Sequence, residues 1–215
     1  MSSLLPAPVT VVECFDDSIP APLFPAEEQR VAGAVAKRRQ EYATARRCAR
    51  AALAAYGFPS GPLLAGERGQ PLWPAGMVGS ITHCPGYRAA AVGRATEVAG
   101  IGIDAEPHLP LRDGVLRLVA LAPETARLTA LAHDHPSVCW DRVLFSAKES
   151  IYKAWYPLTR RWLGCHDADV VFAPATGTFS ATIRADAPAG LTTFTGRFAT
   201  SDTLVVTAAT VPSRR

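Results

Sequence analysis

The sequence predicts an α+β fold of two similar halves, each a small antiparallel sheet packed on helices. Helix-prone stretches are followed by β-prone runs, and this order occurs twice. The helical period is strongest over 138–156, while strict alternation governs the runs at 169–173, 178–184, 191–198 and 203–210. A length of 215 residues suits one substantial core or two small halves. No residue-level repeat accompanies the repeated order.

Taken in order, Val9-Thr-Val-Val12 reads as an edge strand. Pro25, with Glu27 and Glu28 behind it, suits the first turn of a helix. The alanine-rich run from Ala26 to Tyr56 reads as helix, broken near Gly33 and stopped at Gly57. A Gly- and Pro-rich loop leads to strands at Met77–Thr82, Tyr87–Val92 and Val98–Ile103, the first two joined through the turn His83-Cys-Pro-Gly86. Weaker helical patterns follow at 114–120 and 124–132. Pro157 is expected to end the strong helix. The division expected is residues 1–105, with the basic helix, the first sheet and the His83 strand end, and residues 106–215, with the second long helix and sheet. The two form one functional unit.

At 48% hydrophobic and 19% charged, the chain is not disordered. It has no apolar run of the roughly 18–20 residues that would span a bilayer. The start, MSSLLPAPVT, lacks the basic and apolar segments of a secretory signal, so a soluble cytoplasmic protein without a membrane partner is expected. Cys14, Cys48, Cys84, Cys139 and Cys165 are odd in number and widely spaced, and read as small buried hydrophobes. The chain has 19 arginines and only three lysines, Lys37, Lys148 and Lys153, two of them five residues apart.

Four elements carry chemistry. Asp104 and Glu106 alternate along a strand, so their carboxylates face one side, an arrangement a hard cation relieves. Its plain alternative is a solvated strand end. Glu149 and Lys153 are an i,i+4 helical pair, ordinarily a weak surface contact. Phe145, Tyr152 and Tyr156 flank them and point to a buried charged cluster, while Trp140, Leu144, Ala147, Ile151 and Trp155 form the core face. Between Arg30 and Arg50 lie seven basic residues against one acid, Glu41. There Arg38 and Arg46 share a face suited to phosphate or simply to solvent. No stacking aromatics accompany them, which argues against nucleic acid. Gly79-Ser-Ile-Thr-His83 ends a strand on a histidine, while G-x-S-x-G and P-loop motifs are missing, excluding those hydrolase and nucleotide-binding classes.

Gly79-Ser-Ile-Thr-His83, Gly102-Ile-Asp-Ala-Glu106 and Phe145-Ser-Ala-Lys-Glu-Ser-Ile-Tyr-Lys153, in that order, resemble the signature blocks of the Sfp/EntD-type 4'-phosphopantetheinyl transferases. Lys37-Arg-Arg, Cys48-Ala-Arg50, Trp73-Pro, Thr82-His-Cys84 and Lys153-Ala-Trp-Tyr-Pro-Leu-Thr159 are similar to its actinobacterial branch. The resemblance covers most of residues 30–165. It implies two pseudo-twofold-related subdomains with coenzyme A between them, and transfer of phosphopantetheine to a serine of apo acyl or peptidyl carrier proteins. Adenosine 3',5'-bisphosphate would leave. It further implies that Asp104, Glu106 and Glu149 bind Mg2+, with Mn2+ as the alternative ion. Arg38, Arg46, Gly66, Glu67, Arg68, Thr82, His83, Asp104, Lys148, Glu149 and Lys153 would contact coenzyme A. Glu149 is expected as general base, and Lys153 as the group that steadies the departing oxygen. Monomer is the family-based expectation. A non-catalytic coenzyme A-binding module and a metal-dependent nuclease are the competing readings.

Overall fold

The computed structural model describes residues 1–213. The first sheet has the order β1-β3-β2, built from Thr10–Cys14 (β1), Met77–Cys84 (β2) and Tyr87–Arg94 (β3). Helices Pro25–Arg30 (α1) and Ala36–Ala54 (α2) come between β1 and β2, and α2 packs on β1 and β3. The second sheet has the order β4-β8-β7-β6-β5. Its strands are Val98–Pro107 (β4), Ala168–Ala173 (β5), Thr178–Ile183 (β6), Thr193–Thr200 (β7) and Leu204–Pro212 (β8). Helices Val115–Val119 (α3), Ala122–Asp134 (α4) and Trp140–Thr159 (α5) separate β4 from β5, and α5 packs on β4 and β8. All pairings are antiparallel. Thus β1-β3-β2 and β4-β8-β7 share one connectivity, and the second half adds β5 and β6.

The apolar stripe of α5 explains its place. Trp140, Val143, Leu144, Ala147, Ile151, Ala154 and Trp155 are all buried, against partners that include Phe179, Phe194 and Val205. Truncating a side chain such as Leu144 or Ile151 to alanine would cost about 2–5 kcal/mol. In the first half the small residues Ala49 and Ala52 let α2 lie close to Ala90 and Val92 of β3.

Two expectations are corrected. Pro157 does not end α5, which continues to Thr159. The missing proline N–H removes one ladder bond, but Arg160 N–H donates to Tyr156 O (2.8 Å) and Thr159 Oγ1 to Trp155 O (3.0 Å), closing another turn. The expected division after residue 105 falls inside β4, which pairs with β8 from Val98 to Pro107 and so belongs wholly to the second sheet. The change of sheet lies between Arg94 and Val98. Of the cysteines, Cys48 and Cys84 are buried, whereas Cys14, Cys139 and Cys165 are half-buried, and all five are free thiols.

The halves meet where edge strand β2 faces edge strand β4. No backbone ladder joins them. Instead Ser80 Oγ accepts the Ile103 N–H at 3.1 Å and Thr82 Oγ1 accepts the Ala105 N–H at 3.0 Å. Two hydroxyls on one face of β2 satisfy donors that an unpaired edge would leave bare. No helix among the described residues is long and apolar enough to cross a membrane.

Candidate active site

A cleft of about 260 Å³ opens above this seam. One wall is the Arg68–Pro71 turn, Trp73 and Gly79–Ile81. The other is one side of α5, with Glu149, Tyr152, Lys153 and Tyr156. A larger groove, about 590 Å³, lies against residues 3–6 on the second sheet, but Arg197 is its only charged lining residue. Chemistry, rather than size, selects the seam cleft.

Asp104 is the centre of the seam. It is 4% exposed. Its Oδ1 accepts from Lys153 Nζ at 2.7 Å and from Thr82 Oγ1 at 3.4 Å, while Oδ2 is buried without a hydrogen-bond partner. Lys153 also donates to Ile103 O at 3.1 Å. Glu149, one turn earlier on α5, has no ion pair or side-chain hydrogen bond among the described residues. Burial raises its pKa, the nearby Lys153 cation opposes that, and Asp104 adds to it. Glu106 follows on the same side of β4, and its Oε2 accepts from Arg142 Nη1 at 2.9 Å. Its pKa is raised by burial and by Asp104, against the pull of Arg142.

The three acids expected to bind the ion therefore sense one another, but two of them hold side-chain cations. Among the described residues no three His, Cys, Asp or Glu side chains gather closely enough to hold a metal ion. The donor set nevertheless fits a hard cation: it is all carboxylate oxygen, and the buried orphan Oδ2 of Asp104 is an acceptor in need of a partner.

The first half adds an ionic cluster. Arg38 Nη1 hydrogen-bonds His83 Nε2, and His83 Nδ1 faces Glu41 Oε2 at 3.8 Å. Glu41 also lies 3.7 Å from Arg38 and from Arg88, and Arg88 pairs with Asp17 at 2.6 Å. Burial first, then the Arg38 cation, lowers the His83 pKa to about 4, so the ring is neutral at pH 7. Arg46 is buried instead of facing the cleft: its Nε donates to Leu63 O at 3.1 Å and its guanidinium lies over Tyr42. The spacing that places Arg38 and Arg46 on one helix side is real, but the loop at Leu63 covers the second of them.

The Gly66–Arg68 turn is closed by Gly66 N–H to Gln70 O at 2.8 Å. Arg68 lines the cleft and stacks over Trp162, 5.8 Å from the ring centroid, whereas Glu67 is exposed and unpaired among the described residues. Lys148 requires correction as a cofactor-contacting residue. It is 4% exposed and points into the second half, donating to Glu124 (2.7 Å), Val119 O (2.9 Å) and Cys165 O (2.6 Å). A helix turns about 100° per residue, so neighbours 148 and 149 face different ways.

Sequence reasoning quoted Trp73 and Ser80 only as parts of motifs and gave no role to them, to Trp162 or to Arg142. Trp73 Nε1 is held by Gly79 O at 2.9 Å. The signal for Arg142 was available: it precedes Glu149 by seven residues, and so lies on the same side of α5.

The chain is similar to known proteins over nearly its whole length. Residues 26–93 match the 4'-phosphopantetheinyl transferase N-terminal domain, and residues 100–208 match the 4'-phosphopantetheinyl transferase superfamily. It is 50% identical to 4'-phosphopantetheinyl transferase Svp of Streptomyces mobaraensis, over 98% of this chain and 89% of that protein. It is 46% identical to PptT of Mycobacterium tuberculosis, over 97% and 96%, and 42% identical to Npt of Nocardia iowensis, over 97% and 98%.

Proposed function

This chain belongs to the 4'-phosphopantetheinyl transferase superfamily and is an enzyme of that kind, and we propose that it moves the 4'-phosphopantetheine of coenzyme A onto a serine hydroxyl of apo acyl and peptidyl carrier domains at the seam cleft. The observation that carries this reading is the meeting of a buried, half-satisfied Asp104 on β4 with the Lys153 cation and a bare, desolvated Glu149 on α5. Arg38 and His83 stand at the end of β2.

Coenzyme A is polyanionic and needs cations at both its 3'-phosphate and its diphosphate. Arg38, with the neutral His83 able to take up a proton beside a phosphate, serves the first, and Lys153 the second. A divalent ion held by Asp104, Glu106 and Glu149, magnesium with manganese as the alternative, would supply charge neutralisation at the diphosphate. In the transfer, the serine oxygen bonds to the phosphorus of the phosphopantetheinyl group while the bond to the bridging diphosphate oxygen breaks. Adenosine 3',5'-bisphosphate departs with the electron pair. Glu149 accepts the serine proton; its raised pKa suits a base. Lys153 steadies the oxygen that leaves. Tyr152, Tyr156 and Trp73 give the cleft apolar surface for the pantetheine arm. The products would feed polyketide, nonribosomal-peptide or fatty-acid assembly in the cytoplasm, with the enzyme acting as a monomer.

Incubation with coenzyme A, Mg2+ and apo carriers, read by intact mass, tests the proposal. A carrier gaining one phosphopantetheinyl group supports it; coenzyme A binding without mass gain, or nucleic-acid cleavage alone, rejects it. Glu149→Gln should slow transfer about 100-fold or more. Near-normal turnover would remove Glu149 as the base.

A further inference from the structure

The segment after Glu106 is fastened to the start of α5. All three guanidinium nitrogens of Arg142 donate there: Nη1 to Glu106 Oε2, Nε to Leu109 O and Nη2 to Pro110 O, each at 2.9 Å. Asp141 Oδ2 accepts the Leu111 N–H at 2.7 Å, and Cys139 N–H donates to His108 Nε2 at 3.1 Å. Arg142 and Glu106 are both mostly buried, so their attraction is little screened. Lys153 sits on Asp104 in the same way, which leaves Glu149 as the acid without a cation.

We propose that Arg142 is a positioning residue that stands in for the divalent ion: it holds Glu106 back until an ion enters, and then yields that carboxylate. The proposal rests on the reading of Asp104, Glu106 and Glu149 as the ion-binding acids. Its physical content is competition between two cations for one carboxylate. With Glu106 tied to Arg142, the three acids do not converge; with Glu106 released, it can turn toward Asp104, its neighbour on the same side of β4. The three donor bonds of Arg142 also explain why arginine suits the place: two of them fix the backbone at 109 and 110 whichever way the Glu106 carboxylate turns.

The test is Mn2+ binding by the full chain without coenzyme A, followed by electron paramagnetic resonance, with thermal melting as the control for folding. Arg142→Gln removes the charge and should tighten Mn2+ binding about tenfold, the scale of one partly screened unit charge close to the ion. Arg142→Lys keeps the charge and should stay within about twofold of the parent, since the competing cation remains. Adding Glu106→Gln to Arg142→Gln should abolish the gain. Unchanged or weaker binding in a folded Arg142→Gln protein overturns the proposal. So does a gain that persists without Glu106, which would be long-range electrostatics alone. The reading beneath it is judged separately: Asp104→Asn and Glu149→Gln should each lose the Mn2+ signal, and parent-like binding in both refutes the carboxylate site itself.

Discussion

Glu27 and Glu124 hold corresponding places in the two halves. Each stands in the first turn of a helix behind a proline, each accepts the N-terminal backbone N–H of its own helix, from Phe24 (3.0 Å) or Leu121 (2.7 Å), and each is fully buried. Each also accepts a second backbone N–H, from Leu63 or Val170, and a cation from the long helix, Arg50 of α2 or Lys148 of α5. The staple is one device built twice. What differs is the next residue. Arg50 is followed by an exposed Ala51, and Lys148 by the cleft-lining Glu149. The shared frame thus assigns Lys148 to structure and leaves its neighbours free for chemistry, although both lysines belong to one conspicuous sequence block.

The largest expected effect comes from breaking the staples. Glu124→Ala leaves Lys148 charged, with a side chain only 3% exposed, and should cost about 3–5 kcal/mol in urea unfolding. Glu27→Ala should cost about 1–3 kcal/mol, because Arg50 is 11% exposed and keeps a bond to Pro22 O. The reverse order would break the comparison. Glu124→Gln with Lys148→Met should recover much of the loss and leave coenzyme A affinity unchanged. A stable double variant that no longer bound coenzyme A would return Lys148 to the cofactor.

A second test addresses the packing of α5 on β4, which brings Lys153 onto Asp104. A Cβ on Gly102 would lie 1.8 Å from Ser150 O and 2.7 Å from Ala154 N, both α5 backbone. Gly102→Ala must push α5 off β4, at about 3 kcal/mol. Transfer activity should fall with it, since Lys153 and Asp104 sit on the displaced surfaces. A variant with parent-like melting temperature would mean that the close approach is not needed.

Much of the fold was legible because its elements are local. The stripe on α5, the turn at Gly86 (φ 75°) and the alternating strands all follow from short-range pattern. The staples were not, because Glu27 and Leu63 lie 36 residues apart and Glu124 and Val170 lie 46 apart, joined only in the folded chain. The sheet boundary was missed because nothing in Val98–Pro107 says which neighbour it will pair with. Within the candidate site, spacing paired Asp104 with Glu106 and Glu149 with Lys153, and only the family resemblance joined the two pairs; Arg46 and Lys148 are buried elsewhere for one reason. Helical spacing tells which residues share a side, but not which side another segment will cover.

The smallest effect separates His83 from Glu149 by pH. His83, with its side chain 31% exposed, has a native pKa lowered to about 4, against about 6.5 when unfolded. As pH falls below 6.5 the unfolded chain takes up this proton first, so stability drops progressively until about pH 4, below which both states are protonated. Partial exposure discounts the contribution to about 1–2 kcal/mol. His83→Asn should flatten this part of the stability profile, measured as melting temperature from pH 7.5 to 4.5. Glu149 has the opposite sign: its raised pKa makes ionisation costly as pH rises, and Glu149→Gln should relieve that cost near neutral pH. If both variants track the parent across the range, the ring is solvated rather than held neutral by burial and Arg38, and the His83 end of β2 loses its claim to respond to a phosphate.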